Sequence, residues 1–160
     1  MTLESLPRDA FRTAVLVNGC FDLLHCGHLD LLEFAGQFGP VTVALNSDSS
    51  VRALKGRGRP IVCQDERRRM LEAIRWVERV VVFYEATPLL PIVQLQPRVY
   101  VVGPDHATDC ELCRVVVELG GQVRQAPAMR SVRTTRLVTR IKAASEKEFM
   151  CALSAISCLT

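Results

Sequence analysis

The chain has 160 residues, of which 49% are hydrophobic and 23% charged, and this composition is typical of one globular domain and excludes extended disorder. No apolar run approaches the roughly 20 residues of a membrane-spanning helix, and residues 1–12 do not resemble a signal peptide. We therefore expect a cytoplasmic protein. The net charge of +3, from 20 basic and 17 acidic residues, is too small to indicate nucleic-acid binding by itself.

Short β-branched apolar runs alternate with segments of helical periodicity. The runs predict strands at 14–18, 41–45, 79–84, 99–103 and 122–126. The periodic segments predict helices at 28–38, 65–77, 88–94, 109–119 and 134–144, with Thr87 as N-cap of the third and Pro88 in its first turn. The run at 14–18 is uninterrupted, which suits a strand buried on both faces. Strands that alternate with helices through short connections indicate an α/β, Rossmann-like, doubly wound parallel sheet of five strands with helices on both faces. Residues 1–144 form the predicted domain, and residues 145–160 a helical tail.

The cysteines and two clusters of basic residues are further candidates for binding sites. Seven cysteines, an odd number, are expected to be free thiols in the cytoplasm. Cys110, Cys113 and His106 resemble part of a zinc site, but no second pair completes it at the usual spacing, so no metal site is predicted. Basic clusters at 52–59 and 130–142 contain no acidic residue and suggest either anion sites or solvated surface. The second has no interleaved aromatic residues for base stacking, so no nucleic-acid partner is expected.

His25 and His28 lie where the first strand gives way to the first helix. Histidines three residues apart share one helix face, and Gly27 between them lets a ligand approach the backbone. A helix N-terminus attracts phosphate, and two imidazoles there can neutralise charge that develops during phosphoryl transfer. The alternative is a pair of packed or surface histidines. The chain lacks both the glycine fingerprint of dinucleotide-binding domains and a Walker loop, which argues against a dehydrogenase and a P-loop ATPase.

Residues 19–28, GCFDLLHCGH, resemble the GxFDxxHxGH signature of the cytidylyltransferase-like nucleotidyltransferase family. Segments similar to the family's NSDxSVxxLKGxxRP, ERxxxL, KGxD and ISTTxL motifs follow in the same order, at 46–60, 66–71, 102–105 and 132–137. The resemblance covers residues 14–142 and implies the nucleotidylyl transferase type of fold. It is strongest to the adenylyltransferase half of bacterial heptose-phosphate enzymes, and weaker to the glycerol-3-phosphate and ethanolamine-phosphate cytidylyltransferases.

The resemblance implies transfer of AMP from ATP, with Mg²⁺, to D-glycero-manno-heptose 1-phosphate. The products are ADP-heptose, a precursor of cell-surface polysaccharide, and pyrophosphate. One alternative is a CTP-dependent enzyme acting on glycerol 3-phosphate or a related alditol or ethanolamine phosphate. Another is a catalytically silent nucleotide-binding module. The resemblance also implies a homodimer or higher homo-oligomer, and no membrane partner is expected.

The resemblance further implies roles for individual residues. The implied catalytic residues are His25, His28 and Lys55, the last on a flexible glycine-flanked loop. The implied nucleotide-binding residues are Asn18, Gly19, Cys20, Phe21, Gly27, His28, Asp105, Arg133, Thr134 and Thr135. The implied acceptor-phosphate residues are Asp22, Lys55 and Arg59, with Asp22 or Asp105 on the Mg²⁺ or sugar side. Two departures matter, because Val102 replaces the lysine of KGxD and Arg133 replaces the serine of ISTT. Either one positive charge has moved, or the acceptor site has changed.

Overall fold

A computed structural model describes residues 13–128 and 134–157, with the backbone alone described for 146–157. The strands are β1 (Val15–Gly19), β2 (Val41–Asn46), β3 (Val77–Phe83), β4 (Val99–Val102) and β5 (Gln122–Gln125). The helices are α1 (Cys26–Gly36), α2 (Asp48–Lys55), α3 (Gln64–Glu72), α4 (Leu89–Leu95), α5 (Glu111–Glu118) and α6 (Thr134–Ser157). The five strands form one parallel sheet in the order β3-β2-β1-β4-β5, which confirms the predicted fold class.

Strand order reverses between β1 and β4, because the chain leaves β3 at one edge of the sheet and returns beside β1. At such a reversal the connections leave the two strands in opposite directions, and a crevice opens at their carboxyl ends. Val15 and Val41 are paired across β1 and β2, and Val15 and Val99 across β1 and β4. The segments that follow β1 and β4 therefore border the crevice.

Side chains along β1 alternate between two apolar layers. Val15 and Val17 pack into one layer with residues of α1 and α3, whereas Leu16 packs into the other with residues of α4 and α5. All three are fully buried, and each such side chain contributes about 1.5–3 kcal/mol of hydrophobic stabilisation. Burial on both faces explains why β1 begins as an uninterrupted apolar run.

Helix α2 was not predicted, and the expectation that Lys55 lies on a flexible loop is wrong. Ser47 caps this helix, since its hydroxyl accepts a hydrogen bond from the Ser50 N–H at 3.1 Å. Lys55 is the last helical residue, and Gly56 ends the helix with a φ of 86°. The helix holds Lys55 at a fixed place beside the carboxyl ends of the strands.

Two predicted helix boundaries also differ from the structure. The helix predicted at 65–77 ends at Glu72, because Val77 already belongs to β3 and is paired with Val41. The N-cap of α4 is Pro88 and not Thr87. Boundaries are the least certain part of a periodicity argument, since an apolar residue such as Val77 suits a helix face and a buried strand equally.

Helix α6 runs from Thr134 to Ser157 without a break, and so crosses the boundary predicted between residues 144 and 145. The division of the chain at that boundary stays a prediction, as does the homodimer. Along the described parts of the chain, no helix combines the length and the apolar character needed to cross a membrane.

Candidate active site

The two histidines form a stacked pair at the start of α1. His25 is the N-cap residue, with an extended backbone, and Gly27 and His28 lie in the first turn. The two imidazole rings are 3.8 Å apart between centroids and 14° apart in plane. Both Nδ1 atoms are buried and have no hydrogen-bond partner among the described residues. The two rings therefore lie side by side at a helix N-terminus, with polar atoms free to bind a ligand. Their spacing of three residues predicts this shared face.

Both imidazoles are neutral at pH 7. Burial lowers the pKa of His25, against a smaller opposing effect of its own backbone. Burial lowers the pKa of His28 to about 3, with the charges of His25 and Lys55 adding to the shift and Asp22 opposing it. Lys55 therefore lies close enough for its charge to reach His28. An anion bound between these groups would favour their protonated forms, so the pair can gain positive charge when phosphate arrives.

The loop before α1 places an aromatic ring against this pair. Phe21 and Leu23 have φ angles of 47° and 54°, a left-handed conformation that is unusual for residues other than glycine. The Phe21 ring lies 5.0 Å from the His28 ring, at 51°. A Cβ atom on Gly19 would lie 3.1 Å from the Phe21 ring. The ring can pack this close to the backbone because residue 19 has no side chain. Backbone strain of this kind persists where surrounding contacts fix it, often at functional sites.

Asp22 is 1% exposed, and its carboxylate has three described donors. Oδ2 accepts from the Arg59 guanidinium at 2.6 Å, and Oδ1 accepts from the N–H groups of Ile61 and Val62 at 2.9 and 3.1 Å. Burial by itself raises the pKa of Asp22, but the hydrogen bonds from Val62, Arg59 and Ile61 outweigh burial and lower the pKa. Asp22 and Arg59 are thus paired with each other, and Asp22 anchors residues 59–62 beside the loop that precedes α1. Their roles at an acceptor phosphate stay predictions.

The start of α6 is tied to the same loop. The Thr134 hydroxyl donates to the main-chain oxygen of Asp22 at 2.7 Å, and Thr135 follows with its side chain exposed. A helix N-terminus offers free N–H groups and a positive dipole end to an anion. Two helix N-termini, those of α1 and α6, therefore meet at this loop. Arg133 lies outside the described residues.

Asn18 is oriented from the neighbouring strand. The Tyr100 hydroxyl on β4 donates to Asn18 Oδ1 on β1 at 2.6 Å. Burial raises the pKa of Tyr100, with smaller effects from Cys113 and Cys110, so the hydroxyl keeps its proton and stays a donor. The bond spans the reversal in strand order and fixes the Asn18 amide at the mouth of the crevice.

The buried arginine Arg67 has a role that sequence reasoning missed. Its side chain is fully buried and donates four hydrogen bonds. The acceptors are the main-chain oxygens of Cys20, Asn46 and Val62, and Asp48 Oδ1. One guanidinium thereby joins the ends of β1 and β2, the start of α2 and the segment that Asp22 anchors.

The remaining predicted residues have no described contact with the histidine pair. Asp105 is exposed in the loop after β4. Val102, the residue in place of the family lysine, is 5% exposed and packs in the second apolar layer. The thiol of Cys20 contacts Asn46 Oδ1 at 3.9 Å. Within 13–128 and 134–145, where side chains are described, no three histidine, cysteine, aspartate or glutamate side chains are grouped so that they could hold a metal ion.

The chain is similar in sequence to known proteins. Residues 16–149 match the family model described as cytidylyltransferase-like. The chain is 48% identical over 128 residues to the bifunctional protein HldE of Koribacter versatilis, covering 79% of this chain and 26% of that protein. It is 42% identical over 144 residues to the bifunctional protein HldE of Gluconobacter oxydans, covering 89% of this chain and 30% of that protein. The chain thus spans less than a third of the length of these relatives.

Solved structures support the fold. A lipopolysaccharide core biosynthesis protein from Thermoplasma volcanium superposes with a TM-score of 0.63 at 23% identity, covering 73% of this chain and 98% of that one. A protein of unknown function from Archaeoglobus fulgidus superposes with a TM-score of 0.57 at 21% identity, covering 76% and 94%. At these identities the likeness shows the fold alone. The family match over most of the chain goes further: the chain belongs to the cytidylyltransferase-like family and is a nucleotidyltransferase.

Proposed function

We propose that the protein transfers AMP from ATP to D-glycero-manno-heptose 1-phosphate, releasing pyrophosphate and forming ADP-heptose for cell-surface polysaccharide synthesis. The observation that carries the chemistry is the stacked pair of His25 and His28 at the N-terminus of α1. The heptose acceptor is supported by the identity to proteins named HldE, which the chain matches over most of its own length.

The proposed reaction is an in-line substitution at the α-phosphorus. A phosphate oxygen of the sugar 1-phosphate attacks that phosphorus, and the bond to the β-phosphate oxygen breaks as pyrophosphate leaves. No covalent intermediate with the protein is needed, because positioning two anions and neutralising developing charge supply most of the catalysis. His25 and His28 donate hydrogen bonds to the triphosphate, and Lys55 supplies a fixed positive charge beside them. Thr134 and Thr135 offer the N-terminal N–H groups of α6 to the leaving phosphates.

Mg²⁺ fits this site as part of the nucleotide substrate. The described side chains do not form a cage of three ligands, and both carboxylate oxygens of Asp22 already accept hydrogen bonds from Arg59, Ile61 and Val62. Mg²⁺ commonly binds through substrate phosphates and water with few protein ligands. We therefore propose that the ion enters with the triphosphate and neutralises charge on its oxygens.

Val102 bears on the choice of acceptor. Its burial in the second apolar layer means that a lysine there would have to leave the core to reach a phosphate. The positive charges available near the histidines are instead those of Lys55 and of the segment that includes Arg59. We propose that the acceptor phosphate binds on this α2 side of the crevice. The family's name keeps a CTP-dependent alditol phosphate enzyme as the second candidate.

A pyrophosphate-release assay with Mg²⁺ tests the proposal. ATP and CTP are each combined with heptose 1-phosphate and with glycerol 3-phosphate. We expect release with ATP and heptose 1-phosphate only. Release with CTP and glycerol 3-phosphate only would overturn the adenylyltransferase assignment in favour of the alditol branch.

Histidine variants assign the activity to the site. His28→Asn should lower the rate by about 100-fold or more, the usual effect of removing a donor that stabilises transition-state charge. His106→Asn is the matched control, because the third histidine of the chain is exposed in the loop after β4 and should leave the rate unchanged. Equal rates for the two variants would contradict the proposed role of the pair.

A further inference from the structure

Cys110 and Cys113 form a close pair of thiols that the proposed reaction does not use. Cys110 is the N-cap residue of α5, and Cys113 lies in its first turn. Their sulfur atoms are 3.0 Å apart, with Cys110 donating to Cys113. Since the sulfur atoms of a disulfide are about 2.05 Å apart, closing the bond requires a movement of only about 1 Å. Both cysteines are free thiols here.

The two thiols are unequal in access. Cys113 is 2% exposed, and its thiol also donates to the main-chain oxygen of Ala107 at 3.7 Å. Burial raises the pKa of Cys113 to about 11. Cys110 is half-buried at the N-terminal end of the helix. An oxidant from solvent therefore meets Cys110 first.

We propose that Cys110 and Cys113 are a redox-active dithiol that closes to an intramolecular disulfide by exchange with a small-molecule disulfide such as glutathione disulfide. The Cys110 thiolate attacks one sulfur of glutathione disulfide, forming a mixed disulfide and releasing one glutathione thiolate. Cys113 then loses its proton and attacks Cys110 Sγ, and the second glutathione leaves. Two electrons pass from the cysteines to glutathione, and the two protons that the cysteines lose are balanced by the two glutathione thiols formed.

The placement of the two sulfur atoms also suits the second step. Cys113 is already within contact distance of the sulfur that it must attack. The geometry therefore favours closure of the disulfide over accumulation of the mixed form.

Tyr100 links this pair to the crevice. Tyr100 and Cys113 pack in the same apolar layer, and the Tyr100 hydroxyl holds Asn18 at the carboxyl end of β1. Movement of Cys113 toward Cys110 repacks the surroundings of Tyr100 and disturbs its bond to Asn18. We infer both this repacking and its consequence, that the disulfide weakens nucleotide binding by about fivefold or more, the lower range of couplings between sites. This consequence rests on the proposed function.

Peptide mapping of the full chain tests the disulfide directly. The protein is equilibrated in glutathione buffers of increasing oxidised fraction, quenched in acid, alkylated and digested with trypsin. Cleavage after Arg98 and Arg114 yields residues 99–114, which contain only these two cysteines. In oxidising buffer we expect this peptide to be two hydrogen atoms lighter and free of alkylation, and dithiothreitol should reverse the change. The exposed Cys26 and Cys63 should instead carry glutathione and report that the buffer is oxidising.

Two variants distinguish the order of attack. Cys113→Ser should stop at a mixed disulfide on Cys110, whereas Cys110→Ser should leave Cys113 unmodified while the protein is folded. Circular dichroism establishes that each variant is folded, and Cys113→Ala replaces Cys113→Ser if the serine unfolds the core. Alkylation of both cysteines in the wild type, under conditions that modify Cys26 and Cys63, would overturn the proposal. So would modification of Cys113 in Cys110→Ser at the wild-type rate.

Calorimetric titration with ATP and with CTP tests the coupling in the reduced and oxidised protein. A weaker Kd in the oxidised form is expected, and an equal Kd in both forms would overturn the coupling. Absence of nucleotide binding in both forms would count against the proposed function, while the mass measurement would still decide whether the disulfide forms.

Discussion

Arg67→Met removes a charge and four hydrogen bonds from the interior while keeping a long, unbranched side chain. Arg67 donates to three main-chain oxygens and to the Asp48 carboxylate. Each of these acceptors loses a donor in the variant. Methionine fills much of the same volume, so the variant tests the polar contacts more than the packing. The structure therefore predicts that this arginine is worth far more to stability than its neighbours on α3.

The expected cost follows from two opposing contributions. An orphaned buried polar group costs about 1–3 kcal/mol, and Arg67→Met orphans several. Removing the guanidinium also relieves the cost of burying its charge, and Asp48 can recover water because its side chain is 25% exposed. Removal of one partner from a buried ion pair costs about 3–5 kcal/mol overall, and we expect a loss in that range. Because a domain has about 5–15 kcal/mol of stability in total, the variant should unfold at much lower urea.

Urea unfolding followed by circular dichroism measures this loss by linear extrapolation. The matched control is Arg68→Met on the same helix. The Arg68 side chain is 53% exposed, and its only described ion pair is with Glu72, one turn away. Exposed pairs of this kind contribute little, so the control should unfold at the wild-type urea concentration. A loss below about 1 kcal/mol for Arg67→Met, or equal midpoints for the two variants, would refute the buried network.

Three further outcomes are expected. The unfolding free energy should fall as pH drops from 6.5 toward 3, because unfolded His28 takes up a proton that the folded form, with a pKa of about 3, does not. The contribution of His28 should reach about 2 kcal/mol by pH 5, so the fall should be smaller by that amount in His28→Asn, where the lowered pKa of His25 still contributes. Gly121→Ala should destabilise by about 1–3 kcal/mol, since its Cβ would lie 2.4 Å from the main-chain oxygen of Pro97; an unchanged urea midpoint would contradict that contact. Asp22→Asn should speed tryptic cleavage after Lys55 and Arg57, because the ion pair that anchors the adjoining segment is lost; an unchanged cleavage rate would count against the anchor.

Local pattern was sufficient for the sheet because its signal is strong. All six residues of β2, Val41–Asn46, are buried, so an apolar run of that length has few other interpretations. Helix α2 gave a weak apolar signal, since Ser50 and Val51 are its only buried residues. Its usable signals were electrostatic: an N-cap serine, an acidic residue in the first turn and basic residues in the last turn. Taken together, these charges and the cap predict helix α2 even without an apolar period.

The histidine pair was predictable because three residues of spacing decide whether two rings share a face. The ion pair of Asp22 and Arg59 was not, because the partners are 37 residues apart and only the folded sheet brings them together. Arg67 had one local signal, since it precedes the buried Leu71 by four residues and so lies on the same face of α3. A charged residue on an apolar helix face is either exposed by the fold or fully paired, and sequence alone does not decide between the two.

Two charged residues of the quoted motifs, Asp22 and Arg67, position other groups of the site. Asp22 receives Thr134 on its main-chain oxygen and Arg59 on its carboxylate, so one residue fixes the start of α6 and the segment after α2. Arg67 joins the ends of β1 and β2 to the same segment. The groups proposed to meet phosphate, the histidine pair and Lys55, are thus held by buried charges that need not touch substrate. Loss of Arg67 should therefore lower activity through misplacement of those groups, as a rate loss without an altered pH profile of His28. Loss of Asp22 should in addition lower the pKa of His28, because the charge of Asp22 opposes the shift that burial causes.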